Sequence, residues 1–181
     1  MASPVRLETE ILQLRTRHPF IISRGGQSDY RTVMVRLVDG DGLEGWGEAA
    51  PARIYGESTE TVLAALKNYA EHLPADPLHL EDTERHWDKL MRFNPAARCA
   101  LSAALHDLAG KRLGIPVYRL WGLDPARAPR STFTIGIDTV EKLRQKVGEA
   151  SEYPVLKIKL GTDRDIEILT TIRELTDKEL R

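Results

Sequence analysis

Two lysines, Lys157 and Lys159, interrupt an otherwise apolar stretch running from Val155 to Gly161. With the two-residue period of a strand, Val155, Lys157, Lys159 and Gly161 share one face, and Leu156, Ile158 and Leu160 share the other. Taken by itself, the pattern is a strand with one wet side. If the strand is instead parallel and covered on both sides, two amines on its inner face cost desolvation energy unless they do chemistry. Two ammonium groups spaced two residues apart on one face also disfavour each other's charged form. The neighbouring elements decide between the two readings.

On either side of this stretch the pattern is strand, helix, strand, helix. Residues 131–137 read as a strand, Asp138 and Thr139 as a helix cap, and residues 140–150 as a helix. After the lysine strand, residues 163–176 read as a second helix with Ile166, Leu169, Ile172 and Leu175 on one side. This spacing predicts parallel βα units, with helices covering the Leu156/Ile158/Leu160 face and the lysines turned toward a barrel lumen or sheet crevice.

The upstream part follows a different pattern. Residues 5–11 alternate as a half-buried strand, and residues 18–28 read as a loop with a permissive Gly25-Gly26 pair. Residues 32–38 and 43–48 read as strands joined by an Asp39-Gly40-Asp41-Gly42 turn, which makes a small antiparallel meander. Gly40, Gly42 and Gly45 match a dinucleotide fingerprint, but that fingerprint must open a helix, and here a strand follows with Asp39, Asp41 and Glu44 repelling phosphate. Three helices are then expected. Ser58 caps the first, which carries Val62, Leu66 and Tyr69 and is closed by Pro74. The second starts near Asp82 with Trp87, Leu90 and Met91 inward. The third has Asn94 as its cap and Pro95 at its first position, and Gly114 and Pro116 stop it. Its many small residues admit a close neighbour. Asp107 among them reads as a hydrogen-bonded structural carboxylate, and His18, His72, His79, His86 and His106 lack metal-site spacing and read as structural or surface residues.

Composition narrows the functional classes. The chain has 181 residues with 29 % charged side chains and a net charge of −1, without a basic block, which argues against nucleic-acid or membrane partners. A single cysteine, Cys99, excludes an internal disulfide and suits a reducing compartment. With no signal-like apolar region near the N-terminus, a cytoplasmic location is the expectation.

Motifs spread along the chain carry a resemblance. They are the run from Pro19 through Arg24 to Gly25, then Gly45-Trp46-Gly47-Glu48-Ala49, and then Tyr55-Gly56-Glu57-Ser58. Further on come the alanine-rich segment from Ala96 to Ala109, Gly114-Ile115-Pro116-Val117-Tyr118, and Leu156-Lys157-Ile158-Lys159-Leu160. The chain resembles the mandelate racemase/muconate lactonizing enzyme branch of the enolase superfamily, most of all its dipeptide epimerases. The resemblance implies an α+β capping domain over residues 1–130, a three-stranded antiparallel meander with a helical bundle. The first two βα units of a TIM-type (β/α) barrel would follow over residues 131–181, with the barrel incomplete.

By that resemblance Lys159 moves a proton α to a carboxylate or carboxamide, and Lys157 assists electrostatically. Arg24 binds a side-chain carboxylate of the substrate, Thr134 contacts substrate from the first barrel strand, and Ile54 and Tyr55 wall the pocket. Both Arg24 and Thr134 also have plain readings, as a solvated loop arginine and a β-favouring strand residue. Mg²⁺ is the implied cofactor of the full-length enzyme, with acidic ligands on the third to fifth barrel strands and a partner lysine on the sixth. A complete barrel takes about 250 residues, so the third strand would only be starting at residues 178–181, and the metal ligands and partner lysine are expected to be absent from this chain. The implied substrate is a dipeptide or N-acyl amino acid, the full-length form is expected to be a homo-oligomer, and the chain by itself is expected to be inactive. The same strand would suit an N-acylamino acid racemase, an o-succinylbenzoate synthase or a cycloisomerase. A non-catalytic capping or interaction module is the reading from another class.

Overall fold

The computed structural model describes residues 5–181, and the first four residues of the expected capping domain lie outside that range. Strands β1 (Arg6–Ile22), β2 (Gly25–Val38) and β3 (Glu44–Ala49) form one sheet in that order. β2 and β3 pair antiparallel, from Val33 opposite Ala49 to Val38 opposite Glu44. The expected loop over residues 18–28 is a correction, because both strands continue through it to a turn at Ser23 and Arg24. Phe20, Ile21 and Ile22 favour extended backbone, and Gly25 supplies the positive φ of 110° that closes the hairpin. Pro19 is tolerated within β1 because that strand lies at the sheet edge, where a missing donor costs little.

The chain divides into two compact units. One takes the residues up to Leu14 together with Arg31–Pro125, and the other takes Arg15–Tyr30 together with Ala126–Arg181. This grouping and the expected boundary at residue 130 differ over residues 15–30 and 126–130.

In the first unit, a short 3₁₀ turn (Arg53–Tyr55) precedes helices α1 (Thr59–Ala70), α2 (Leu80–Leu90), α3 (Pro95–Leu113) and α4 (Val117–Leu120). Ser58 caps α1 by accepting from the Thr61 amide, and the Thr61 hydroxyl accepts from the Ser58 amide in return. Val33, Val35 and Leu37 of the sheet pack with Leu66, Tyr69, Trp87, Leu101, Leu105 and Leu108 in one core. The small residues of α3 work as anticipated. A Cβ on Gly45 would stand 2.1 Å from the Ala104 carbonyl oxygen, and one on Gly47 would stand 2.0 Å from that of Ala100. Strand and helix backbones therefore touch without side chains between them. Asp107 accepts from the Trp46 amide at 2.8 Å and pairs with Lys111 at 2.6 Å, tying α3 to β3.

One helix cap differs from expectation. The Asn94 side chain does not cap α3 and donates instead to the Arg92 carbonyl. The buried Glu57 carboxylate takes the role from another loop, accepting from the Ala96 amide at 2.9 Å. A remote carboxylate at a helix N-terminus satisfies an orphan donor and complements the helix dipole. Glu57→Ala is expected to cost about 1–2 kcal/mol, the scale of a lost helix cap, and Glu57→Gln should recover part of it. Equal urea midpoints for wild type and Glu57→Ala would refute this.

The β2–β3 turn is organised by Asp39, whose carboxylate accepts from the Asp41 and Leu43 amides and pairs with Arg112. Burial pushes this carboxyl up, but the two amides and the guanidinium together outweigh that and hold it below the ordinary aspartate value. A depressed carboxyl contributes stability that is present above its unfolded value, near pH 4, and is lost as pH falls through its folded value. Asp39→Asn should therefore lower the urea midpoint at pH 7, and the two proteins should converge below about pH 4. A difference that persists undiminished at pH 2 would contradict the assignment.

In the second unit, β4 (Thr132–Ile135), α5 (Val140–Glu149), β5 (Val155–Ile158), α6 (Asp165–Leu175) and β6 (Glu179–Leu180) alternate, and the three strands form a parallel sheet in the order β4-β5-β6. Ile135 and Leu156 pack with Leu143 and Val147 of α5 and with Ile168 and Ile172 of α6. The expected face of α6 needs correcting, because Ile166 is 78 % exposed and the buried positions are Ile168, Thr171 and Ile172. The helix carries two apolar stripes, and the strand geometry selects the one whose residues lie one turn apart beneath Leu156. Among the described residues, no helix is long and apolar enough to cross a membrane.

Candidate active site

The lysine strand is short. β5 ends at Ile158, and Lys159 follows at its carboxyl end, where its amide still donates to the Ile135 carbonyl at 3.0 Å. Leu156 faces the helix-covered core, whereas Lys157 is exposed on the opposite face and Lys159 is half-buried. Parallel pairing sets Thr134 directly beside Lys157, and Thr132 beside Val155, on this same face. Thr134 and the two lysines are thus brought together by register alone.

The turn after the strand is held in place. Gly161 takes a φ of 115°, and the Asp165 carboxylate at the start of α6 accepts from the amides of Gly161 and Thr162 at 2.9–3.0 Å. The Thr162 amide is the foremost reason that this carboxyl lies below the ordinary aspartate value. At the foot of α5, Lys146 is buried and bonded to Asp138 at 2.9 Å. Burial raises the Asp138 carboxyl, but the Lys146 ammonium and the Thr139 amide bring it below its ordinary value.

Arg24 sits in the hairpin turn, and the hairpin lies across the ends of both strands. The Ile137 amide donates to the Ile21 carbonyl at 3.0 Å. A Cβ on Gly136 would meet Ile21 backbone at 3.1 Å, and one on Gly161 would meet the Ser23 side chain at 2.7 Å. Glycine at both strand ends leaves room for the hairpin tip, which places the Arg24 turn next to the lysine strand. Ile54 and Tyr55 belong to the other unit, where they are 65 % and 75 % exposed on the 3₁₀ turn.

Sequence reasoning missed the fastenings of this site. His18 is paired with Glu149 of α5 at 2.7 Å, and Asp165 pins the turn after Lys159. The only signal for Asp165 was its place three residues after Thr162 at a helix start, and His18 had none.

The arrangement offers two amines on an open strand end with a hydroxyl beside them. Among the described residues, no group of three or more histidine, cysteine, aspartate or glutamate side chains could hold a metal ion. These residues do not fit Mg²⁺ unaided.

Comparison with known proteins agrees with the fold. Residues 6–122 match the N-terminal domain of the mandelate racemase/muconate lactonizing enzymes. The chain is 40 % identical over 166 residues to an L-Ala-D/L-Glu epimerase from Bacteroides thetaiotaomicron, covering 91 % of this chain and 43 % of that protein. Among solved structures, a dipeptide epimerase from Enterococcus faecalis, complexed with Mg and the dipeptide L-Leu-L-Tyr, superposes with a TM-score of 0.85. It shares 29 % identity, over 99 % of this chain and 52 % of that one. An N-succinyl Arg/Lys racemase from Bacillus cereus gives a TM-score of 0.87 at 27 % identity, over 100 % and 51 % of the two chains. The chain spans about half the length of the curated relatives it matches. On its fold and on these matches, the chain belongs to the mandelate racemase/muconate lactonizing enzyme family.

Proposed function

We propose that this chain supplies the capping region and one side of the acid/base pair, Lys159 assisted by Lys157, of an epimerase that inverts the α-carbon of a dipeptide. The observation carrying this reading is the placement of Lys157 and Lys159 at the open end of a parallel strand, opposite its helix-covered face and beside Thr134.

In this reading the Nζ of Lys159, as a neutral amine, takes the proton from the substrate α-carbon. The C–H electron pair moves into the adjacent carboxylate, and Lys157 sets a positive charge near the enediolate that forms. Thr134 contacts the substrate, Arg24 pairs with a carboxylate on the substrate side chain through its planar fork, and Ile54 and Tyr55 keep their pocket-wall role on resemblance alone. Inversion then requires a proton delivered from the opposite face. That acid and the ligands for Mg²⁺ are assigned to barrel strands three to six of a complete enzyme, so the 181-residue chain alone is expected to be inactive. Dipeptides are favoured over N-acyl amino acids because the arginine lies in the turn beside the lysine strand. Cytoplasmic location and homo-oligomerisation are retained for the complete enzyme.

The test fuses this chain in frame to the remaining part of the Bacteroides thetaiotaomicron relative and follows solvent deuterium entering the α-carbon of L-Ala-L-Glu. Incorporation by the fusion but not by the 181-residue chain is expected. Incorporation by the short chain, or none by a folded fusion, would remove the reading.

A further inference from the structure

At the base of the hairpin that carries Arg24, His18 is paired with Glu149 of α5. His18 Nε2 lies 2.7 Å from Glu149 Oε2, while Gln145 donates to the other carboxylate oxygen at 2.9 Å. Both oxygens are therefore engaged, and both partners of the pair are largely shielded, His18 at 18 % and Glu149 at 28 % side-chain exposure. From this point β1 runs three residues to Ile21, whose carbonyl accepts from the Ile137 amide, and on to Ser23 against Gly161. Beyond the pair, the Ile137 amide bonds the Ile21 carbonyl, and the glycines at 136 and 161 leave room for Ile21 and Ser23.

We propose that His18 and Glu149 are positioning residues that latch the hairpin to α5, and through it hold the Arg24 turn across the ends of β4 and β5. For Arg24 this rests on the function proposed above, whereas the latch itself does not. Several physical features support it. The pair joins residues 131 positions apart in sequence, so it constrains tertiary placement and not local turn geometry. His18, followed by Pro19, lies on an edge strand that is bonded to the sheet along one side only, so a side-chain fastening has more to do there than on a central strand. Glu149 closes the last turn of α5, and Gln145, one turn earlier, holds its carboxylate toward the hairpin. The His18 contact is the foremost reason, with Gln145 second, that the Glu149 carboxyl lies below the ordinary glutamate value, which keeps it an ionised acceptor at neutral pH. His18 then donates from Nε2, whether the ring is neutral or protonated.

Amide hydrogen exchange on the 181-residue chain tests the latch, because the Ile137 amide reports docking of Ile21 while the Lys159 amide, bonded to Ile135, reports the β4–β5 pairing. In His18→Ala and in Glu149→Ala, exchange at Ile137 should rise about tenfold, the factor for losing one hydrogen bond of typical net strength, with Lys159 unchanged. The double variant should add little to either single one. His18→Gln, which keeps a donor in reach, should restore most of the protection. Unchanged Ile137 protection in His18→Ala would overturn the latch. Equal loosening at Lys159, or a His18→Gln variant as exposed as His18→Ala, would show a general packing role and also overturn it. None of these results depends on turnover, so a latch without epimerase activity would count against the proposed function only.

Discussion

Lys159→Ala, made in the fusion that restores a complete barrel, is expected to lower deuterium incorporation at the dipeptide α-carbon by between about 10² and 10⁴. That is the range a positioned acid or base contributes. The size follows from what the carbon acid needs. An α-proton beside a carboxylate is very weakly acidic, and water is too poor a base to replace a lysine amine held at the reacting carbon. Alanine leaves the fold intact, because Lys159 enters the sheet through its backbone amide and not through its side chain. Lys157→Ala should reduce the rate less, because the ammonium two residues back acts through charge alone. Proton NMR of the substrate in D₂O measures both, with circular dichroism confirming folded protein. Exchange that survives Lys159→Ala within tenfold of wild type would show that another group takes the proton.

Gly47→Ala carries the largest expected loss of stability, about 3 kcal/mol, which lies at the upper end for forcing extra atoms into a packed core. The added Cβ would stand 2.0 Å from the Ala100 carbonyl oxygen and within 3.0 Å of the Ala104 amide nitrogen. Both are backbone atoms of α3, so no side-chain rotation relieves the clash. The helix would have to move away from β3, and the Asp107 bond to the Trp46 amide would stretch with it. Gly148, in the last turns of α5, has no positive φ, and a methyl group added there would meet nothing within 4 Å. Gly148→Ala should therefore stabilise by about 0.5–1 kcal/mol through helix propensity. Opposite shifts in the urea midpoints of the two variants are the expected pattern. A Gly47→Ala protein as stable as wild type would mean that strand and helix are not in backbone contact.

Much of this protein was legible from residue order. The period-two runs located β2 and β3, and the Asp-Gly turn between them appeared where it was expected. Ser58 marked the start of α1, and Pro95 and Gly114 the two ends of α3, because those residues act within one turn of their own position. Helix α1 stops at Ala70, however, short of Pro74. The alternation of strand and helix after residue 130 foretold a parallel sheet, and Leu156 turned toward the helices with Lys157 away from them. Leu160, beyond the end of the strand, is instead exposed, and Val155 is buried.

Interactions between distant segments were not legible in that way. Nothing near Asn94 signals that Glu57 will cap α3, and nothing near His18 signals Glu149. The residues at 18–28 look like a loop until their two halves pair, since a hairpin's hydrogen bonds exist only when both strands are present. On α6 two apolar stripes competed, and only packing beneath Leu156 could choose Ile168 and Ile172 over Ile166. The chain by itself determined that Lys157 and Lys159 share one face of their stretch, because strand periodicity and side-chain type are local properties. Only the tertiary structure decided what stands beside them. Thr134 arrives through parallel register and the Arg24 turn through a hairpin held at Gly136, Gly161 and Glu149, and such contacts depend on distances in space that sequence spacing does not encode.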